Sequence, residues 1–163
     1  MAADPPDIDS AVYRQVLGYF PTGVTIVTAE TDHHPVGLAV GSFASLSLDP
    51  PLVLFCPSNT STSWPHIESA GKFCVNVLAA DQEGVCRHFA GKSDDKFAGV
   101  GYRHSPLGSP IIDGVLAWID CEIESVVAGG DHVIVVGRVH DLDVAGSGGP
   151  LVFFRGGYGR FEV

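Results

Sequence analysis

The chain is short of positive charge. Nine Lys and Arg face 19 Asp and Glu among 163 residues, a formal charge of −10, and no basic cluster offsets this locally. A phosphate backbone or an anionic lipid surface would be repelled, which sets nucleic acid and membrane aside as partners. Long apolar runs are missing too, since none approaches the roughly 20 residues that span a bilayer. The opening MAADPPDIDS lacks the basic and apolar regions of a secretory leader, so the expected location is cytoplasmic. Cysteine is sparse, and Cys56, Cys74, Cys86 and Cys121 include no C-x-x-C pair. They mostly lie within apolar runs, as reduced core thiols do.

Signature motifs of nucleotide and hydrolytic chemistry are also absent. No G-x-G-x-x-G follows a strand-like run, which argues against a Rossmann site for nicotinamide or flavin. Gly91-Lys92-Ser93 matches the end of a P-loop, but Cys86 stands where its first glycine belongs and a helix-like segment precedes it. The histidines form no H-E-x-x-H, Cys86-x-His88 is too sparse for zinc, and no G-x-S-x-G elbow occurs. No metal is implied, and a serine hydrolase is disfavoured.

What is present is 45% apolar and 17% charged, with 20 Gly and 11 Pro, the balance of one turn-rich domain over residues 1–163. Asp9-Ser10 can cap a helix over about residues 10–20, where Val12, Val16 and Tyr19 recur at helical spacing. Alternation over residues 24–28 and a second run over 36–48 read as an antiparallel pair. Residues 52–56 have the composition of a short buried strand, and the hydroxyl-rich loop 57–63 leads to a helix start at Trp64-Pro65. Residues 73–78 alternate as a strand, 81–89 read as a short helix and 90–110 mostly as loop.

Over residues 115–126, Ile119, Cys121 and Ile123 fall on one side and Asp120, Glu122 and Glu124 on the other, as in a half-buried strand. A Gly129-Gly130-Asp131 turn sends the chain back along 132–139, and 151–154 is a last strand before a Gly-rich end. Six or seven strands with two or three short helices, mostly joined by turns, make a mainly β fold: a closed or nearly closed antiparallel barrel.

Six segments are more specific. They are Pro21-Thr22-Gly23-Val24-Thr25; GLAVGSFASLSLDPP over 37–51; Ser58-Asn59-Thr60-Ser61; Phe89-Ala90-Gly91-Lys92 continuing to Lys96-Phe97; Gly130-Asp131-His132 with Gly137-Arg138-Val139; and Pro150-Leu151-Val152-Phe153-Phe154 leading to Gly157-Tyr158. In content and order they resemble the short-chain flavin reductase family, the reductase partners of two-component flavin monooxygenases, over nearly the whole chain. The resemblance implies an antiparallel split β-barrel of the FMN-binding kind. It also implies an NAD(P)H-dependent oxidoreductase that passes a hydride to FMN or FAD, a homodimer, and a partner monooxygenase that receives reduced flavin. Such a transfer needs no acid or base at the reacting atoms, so no catalytic constellation is expected. No basic group stands out as a reader of a 2′-phosphate, which favours NADH over NADPH.

On this resemblance the flavin is held by Thr22, by Ala39, Val40, Gly41, Ser42 and Phe43 along the isoalloxazine, and by Cys56, Pro57, Ser58, Asn59, Thr60, Ser61 and Ser63 towards the phosphate. Phe89 and Lys92 complete that site, and His132 with Tyr158 forms the nicotinamide site. The family's commoner Thr-Ala/Val-x-Ser reads Ala39-Val40-Gly41-Ser42 here, so one hydroxyl is missing and more contacts fall to the backbone. Plainer roles stand beside these. Gly41 can relieve crowding in a strand, the loop hydroxyls can cap the helix, and Phe89 can be core. Lys92 and Lys96 can belong to a solvated cluster with Asp94 and Asp95, His132 can be a surface strand end, and Arg138 a structural ion-pair residue. For the whole protein the alternatives are a non-catalytic split-barrel binder of flavin or another cofactor such as haem, and a β-rich interaction module without cofactor.

Overall fold

The alternating runs become strands, and a computed structural model describes residues 4–162. In chain order the elements are α1 (Ser10–Leu17), β1 (Thr22–Gly23), β2 (Thr25–Glu30), β3 (Pro35–Val40), β4 (Ala44–Ser47), β5 (Leu52–Phe55), α2 (Trp64–Ala70) and β6 (Lys72–Val77). There follow α3 (Glu83–Ala90), β7 (Tyr102–His104), β8 (Pro110–Ile112), β9 (Ala117–Gly129), β10 (His132–Val144), β11 (Leu151–Phe154) and β12 (Gly157–Arg160). Asp9 caps α1 as its sequence implies, its Oδ1 accepting from Ala11 N at 2.7 Å and Val12 N at 3.3 Å.

Seven strands form one antiparallel sheet in the order β3-β2-β6-β9-β10-β5-β4. β3 and β4 follow each other in the chain yet lie at opposite edges, joined only by Gly41, Ser42 and Phe43. A flat sheet of seven strands would hold its edges about 29 Å apart. The Val40-to-Ala44 connection reaches at most about 14 Å. The sheet therefore coils into a barrel whose two edges approach without pairing, and two register shifts in the β9–β10 ladder add to its bend. β1, β11 and β12 form a small sheet beside it, and β7 pairs with β8.

Strands β2 and β6 and the first part of β9, to Cys121, are buried on both faces. Inside the barrel, Val27, Phe73, Val75 and Cys121 meet Val53, Phe55 and Val135 from β5 and β10, with Trp64 and Ile67 of α2 packed into the same cluster. Outside, Ile26, Cys74 and Trp118 are covered by Cys86 and Phe89 of α3, by Ile111 and Ile112 of β8, and by Leu151. Two glycines make room for rings: a Cβ on Gly37 would meet Phe89 Cε1, and one on Gly137 would lie near Phe73 Cζ and Cys121 Cβ.

The structure departs from the sequence reading in four places. The run over 36–48 is not one strand: β3 pairs with β2, whereas β4 leaves to the far edge and pairs with β5. Residues 90–110 contain β7 and the start of β8, which at three residues each are too short to display alternation. The Gly-rich end is a strand, β12, and the described chain holds twelve strands rather than six or seven. Asp120 is not on a solvated face but fully buried, accepting from Ser105 Oγ at 2.7 Å and Leu107 N at 2.8 Å. Burial pushes its carboxyl up from the ordinary value, and its two bonds fasten the β7–β8 loop to the sheet.

Gly137→Ala should cost about 1–3 kcal/mol of stability, because the added methyl overpacks a fully buried Phe73. Urea denaturation reads this as a lowered midpoint at unchanged slope.

Candidate active site

The split between the barrel edges is where a ligand has room. A cleft of about 380 Å³ is lined by Leu38, Ala39, Val40, Gly41 and Ser42, with Cys56, Pro57, Ser58, Ser61 and His132 opposite. That volume lies within the roughly 300–1,000 Å³ of small-molecule sites. Its floor is the end of β3, an edge strand whose outer backbone groups meet no other strand among the described residues. Ser42 locks the geometry: its Oγ accepts from Cys56 N at 2.9 Å and donates to Cys56 O at 3.3 Å, tying the exit of β3 to the end of β5.

The far wall is assembled from segments more than 70 residues apart. Ser58 bridges His132, Asn59 N donates to Asp131 O at 2.9 Å, Asn59 Nδ2 to Gly130 O at 3.2 Å, and Val133 N to Pro57 O at 3.1 Å. His132 thereby reaches the cleft, and its Nδ1 sits 2.7 Å from Asp131 Oδ1. That hydrogen bond holds the exposed Asp131 carboxyl below the ordinary carboxylate range. Of the loop hydroxyls, Ser61 caps α2 by accepting from Trp64 N at 3.1 Å, while Ser58 and Thr60 bond each other at 2.9 Å.

On the other side of the β3 end lies a smaller apolar recess of about 210 Å³, lined by Thr22, Val24, Ala39, Val40, Gly41, Cys86, Ala90, Phe153 and Tyr158. Phe153 and Tyr158 face each other across the β11–β12 ladder with ring centroids 5.3 Å apart. Tyr158 Oη lies 3.3 Å from Cys86 Sγ, and this bond, with partial burial, pushes the phenol up to about 12. Tyr158 is therefore neutral throughout the working pH range.

The residues expected from sequence divide accordingly. Ala39, Val40, Gly41, Ser42, Cys56, Pro57, Ser58, Ser61 and His132 converge on the cleft, whereas Thr22 and Tyr158 line the recess. His132 and Tyr158 thus share no pocket; the two hollows meet only through Ala39, Val40 and Gly41. Phe89 is corrected to core: it is buried, with its ring 5.1 Å from Phe97 and packed over Gly37. Phe43 packs against the barrel interior cluster. Asn59 and Thr60 hold the loop together rather than line the cleft, and Ser63 lines a separate hollow with His34, His66 and Lys96. Lys92 is exposed, while Lys96 donates to Phe89 O at 2.7 Å and to Gly91 O, a structural clasp. Arg138 makes the ion pair expected of a structural residue, 2.7 Å from Glu124. Sequence reading did not assign Val24, Leu38, Cys86, Ala90 or Phe153 to the site, although all but Cys86 fall within the segments that carry the family resemblance.

An open antiparallel barrel with a ligand-sized cleft at its split and an apolar recess behind it defines a cofactor-binding split barrel. Residues 17–162 match the family described as flavin reductase like domain. A flavin reductase from Pseudomonas putida is 58% identical over 157 residues, covering 96% of this chain and 92% of that protein. The crystal structure of nitrilotriacetate monooxygenase component B from Mycobacterium thermoresistibile superposes with a TM-score of 0.92 at 52% identity, covering 94% of this chain and 87% of that one. A Streptomyces globisporus NADH:FAD oxidoreductase, solved with NAD and FAD fragments, gives 0.90 at 37% identity and covers 98% of both chains. The chain belongs to the flavin reductase-like family.

In His132→Ala the Asp131 carboxyl should titrate upwards, towards the ordinary value of about 3.9. The sign follows from a depressed folded value: the pair contributes above the ordinary range and is lost as pH falls through the folded one. Carbon NMR of the carboxyl would read the shift, and an unmoved midpoint would mean the pair does not form in solution.

Proposed function

We propose that this chain is an NAD(P)H:flavin oxidoreductase, with NADH the preferred donor, that reduces FMN or FAD and supplies the reduced flavin to a monooxygenase. The observation that carries this reading is the β3 end, where small residues and an unpaired backbone edge floor a cleft of ligand size. A flavin ring needs close backbone donors and acceptors along one edge and an apolar wall. Ala39, Val40 and Gly41 meet both needs, and Leu38 extends the apolar side.

When bound, the flavin supplies the hydride-accepting chemistry. The chain supplies position and exclusion of water. Ala39–Gly41 let the ring edge approach the backbone, while Ser42 acts through Cys56 by keeping the two cleft walls in register. Ser58 and Ser61 line the same cleft and would hold the polar ribityl end of the flavin. His132, oriented by Asp131, stands at the rim to shield the nicotinamide face. Neither Tyr158 nor any other group is asked to move a proton, because stacking and distance carry the step.

The reading includes a homodimer and a cytoplasmic setting. No residue of α1 is buried, and Val12, Tyr13, Val16 and Leu17 are exposed on it, with Val127, Leu142 and Val144 exposed on β9 and β10. Apolar surface of this extent asks for cover, and a second copy gives it by symmetry. The free thiols suit a reducing compartment, and no helix among the described residues is long and apolar enough to cross a membrane.

Anaerobic NADH oxidation at 340 nm, with catalytic protein and excess FMN or FAD, should depend on added flavin. Flavin binding without turnover would instead make this a binder. Ser42→Leu should weaken flavin binding about tenfold or more in a fluorescence titration, since it both fills the cleft and breaks the Cys56 tie. An unchanged titration would remove this segment from the site. Sedimentation of the wild type should give twice the chain mass.

A further inference from the structure

The two segments that wall the cleft also wall a second hollow, of about 270 Å³. Strand β3 lines the hollow with Pro35 and Val36 and then reaches the cleft with Leu38, Ala39 and Val40. The facing chain runs the other way, lining the cleft with Pro57, Ser58 and Ser61 and the hollow with Thr62, Ser63 and His66. On one wall Ser61 and Thr62 adjoin. On the other only Gly37 lies between, and it is turned towards Phe89. Cleft and hollow are therefore the two ends of one groove along the unpaired edge of β3, and Val36 and Val40 stand about 13 Å apart along that strand.

The far end differs from the cleft in its chemistry. Among the described residues the histidines that pair with carboxylates are His104, His132 and His140, so His34 and His66 bring unpaired rings to the hollow. Ser63 stands at the N-cap of α2 but makes no capping bond, because Ser61 Oγ accepts from Trp64 N instead. Lys96 donates to Phe89 O and Gly91 O, which pins its ammonium in the wall and leaves its third hydrogen for a ligand. One carboxylate, Asp94, also lines the hollow and forms no ion pair among the described residues. A terminal phosphate dianion would be repelled by Asp94. A ribose would instead give it hydroxyls to accept from, as acidic residues do in dinucleotide sites. The room points the same way: a lone phosphate, even with the roughly 30 Å³ of a liquid water molecule for each of its atoms, leaves much of about 270 Å³ unfilled.

We propose that this hollow receives the adenylate half of FAD, with the flavin ring in the cleft and the ribityl chain and first phosphate passing Ser58 and Ser61 between them. This rests on the flavin reading of the cleft, and it makes FAD rather than FMN the flavin that the groove fits. Lys96 and Ser63 meet the second phosphate, the two imidazoles the purine, and Asp94 the ribose. NADH carries an adenylate as well, but His132, where the nicotinamide stands, lines the cleft and not the hollow.

His34 and His66 are exposed and their rings hold no ion pair, so His34→Ala and His66→Ala keep the fold intact. Fluorescence titration of the full chain with FAD and with FMN reads the groove apart from turnover. The wild type should bind FAD more tightly than FMN, and each variant should weaken FAD about threefold to tenfold while FMN binding stays as it was. The KM for NADH with FMN as acceptor should not move. Unchanged FAD binding in both variants would overturn the proposal. So would equal losses with both flavins, which would give the hollow to the phosphate they share. A raised KM for NADH at unchanged FAD binding would overturn it too, by assigning the adenylate to the donor. If the wild type binds neither flavin, the flavin reading falls and this proposal with it. If both flavins bind but no NADH is oxidised, only the reductase reading falls, and the titration still judges the hollow.

Discussion

Three residues hold the architecture together. Gly41, Ser42 and Phe43 must carry the chain from one edge of a seven-stranded sheet to the other, and that short tether is what turns a sheet into a barrel. A three-residue link is long enough for a paired hairpin, yet β3 bonds only β2 and β4 only β5, so closure stops short of pairing. The edges stay apart, their backbone groups stay unpaired, and the gap is the cleft. Fold and site therefore meet at this link.

Packing follows from that closure. A coiled sheet has an inside too narrow for uniform large side chains, so Phe73 and Phe55 fill it at 5.0 Å between ring centroids while Gly137 stays bare beneath Phe73. The outer face of β2, β6 and β9 needs a second cover, which α3 and the β7–β8 hairpin provide through Phe89, Ile111 and Ile112. Most polar groups that enter this cover are met, the exception among the described residues being the buried Nε2 of His88 on α3. Asn76 Oδ1 accepts from Ile112 N at 2.8 Å, and Asp120 accepts two bonds from the loop before β8. These contacts fasten the β7–β8 hairpin to β6 and β9.

Local pattern made much of this legible. The capping Asp9, the β2 and β6 alternation, the turn at Gly129-Gly130-Asp131 and the long return strand all follow from residue type and spacing over a few positions. The split at β3 and β4 was not legible, because both halves of residues 36–48 look like strand and only the sheet order separates them. Asp120 misled for a related reason: alternation reports which face a side chain takes, not whether that face is covered by a distant hairpin. In the site, the residues read in contiguous segments, Ala39–Ser42 and Cys56–Ser61, largely reached the cleft. Phe89 did not, since its exposure depends on Gly37 from another element.

The departure from the commoner family pattern at Ala39 also acquires a physical sense. Its methyl lies in the apolar recess with Cys86, Ala90, Phe153 and Tyr158, where the one nearby phenol is already bonded to Cys86 and neutral. A hydroxyl at position 39 would enter that recess with few polar partners, whereas the cleft side keeps its polar contacts in Ser42, Ser58 and Ser61. Polarity is thus divided across one strand end: hydroxyls and backbone groups on the cleft side, rings and methyls on the other. Gly41, with Thr22 Oγ1 only 3.3 Å from where its Cβ would stand, keeps that strand end narrow between the two hollows. A hydride moves directly between two rings in contact, so flavin and nicotinamide have to share one side of this strand, and the cleft that His132 lines is the side with the polar edge a flavin needs.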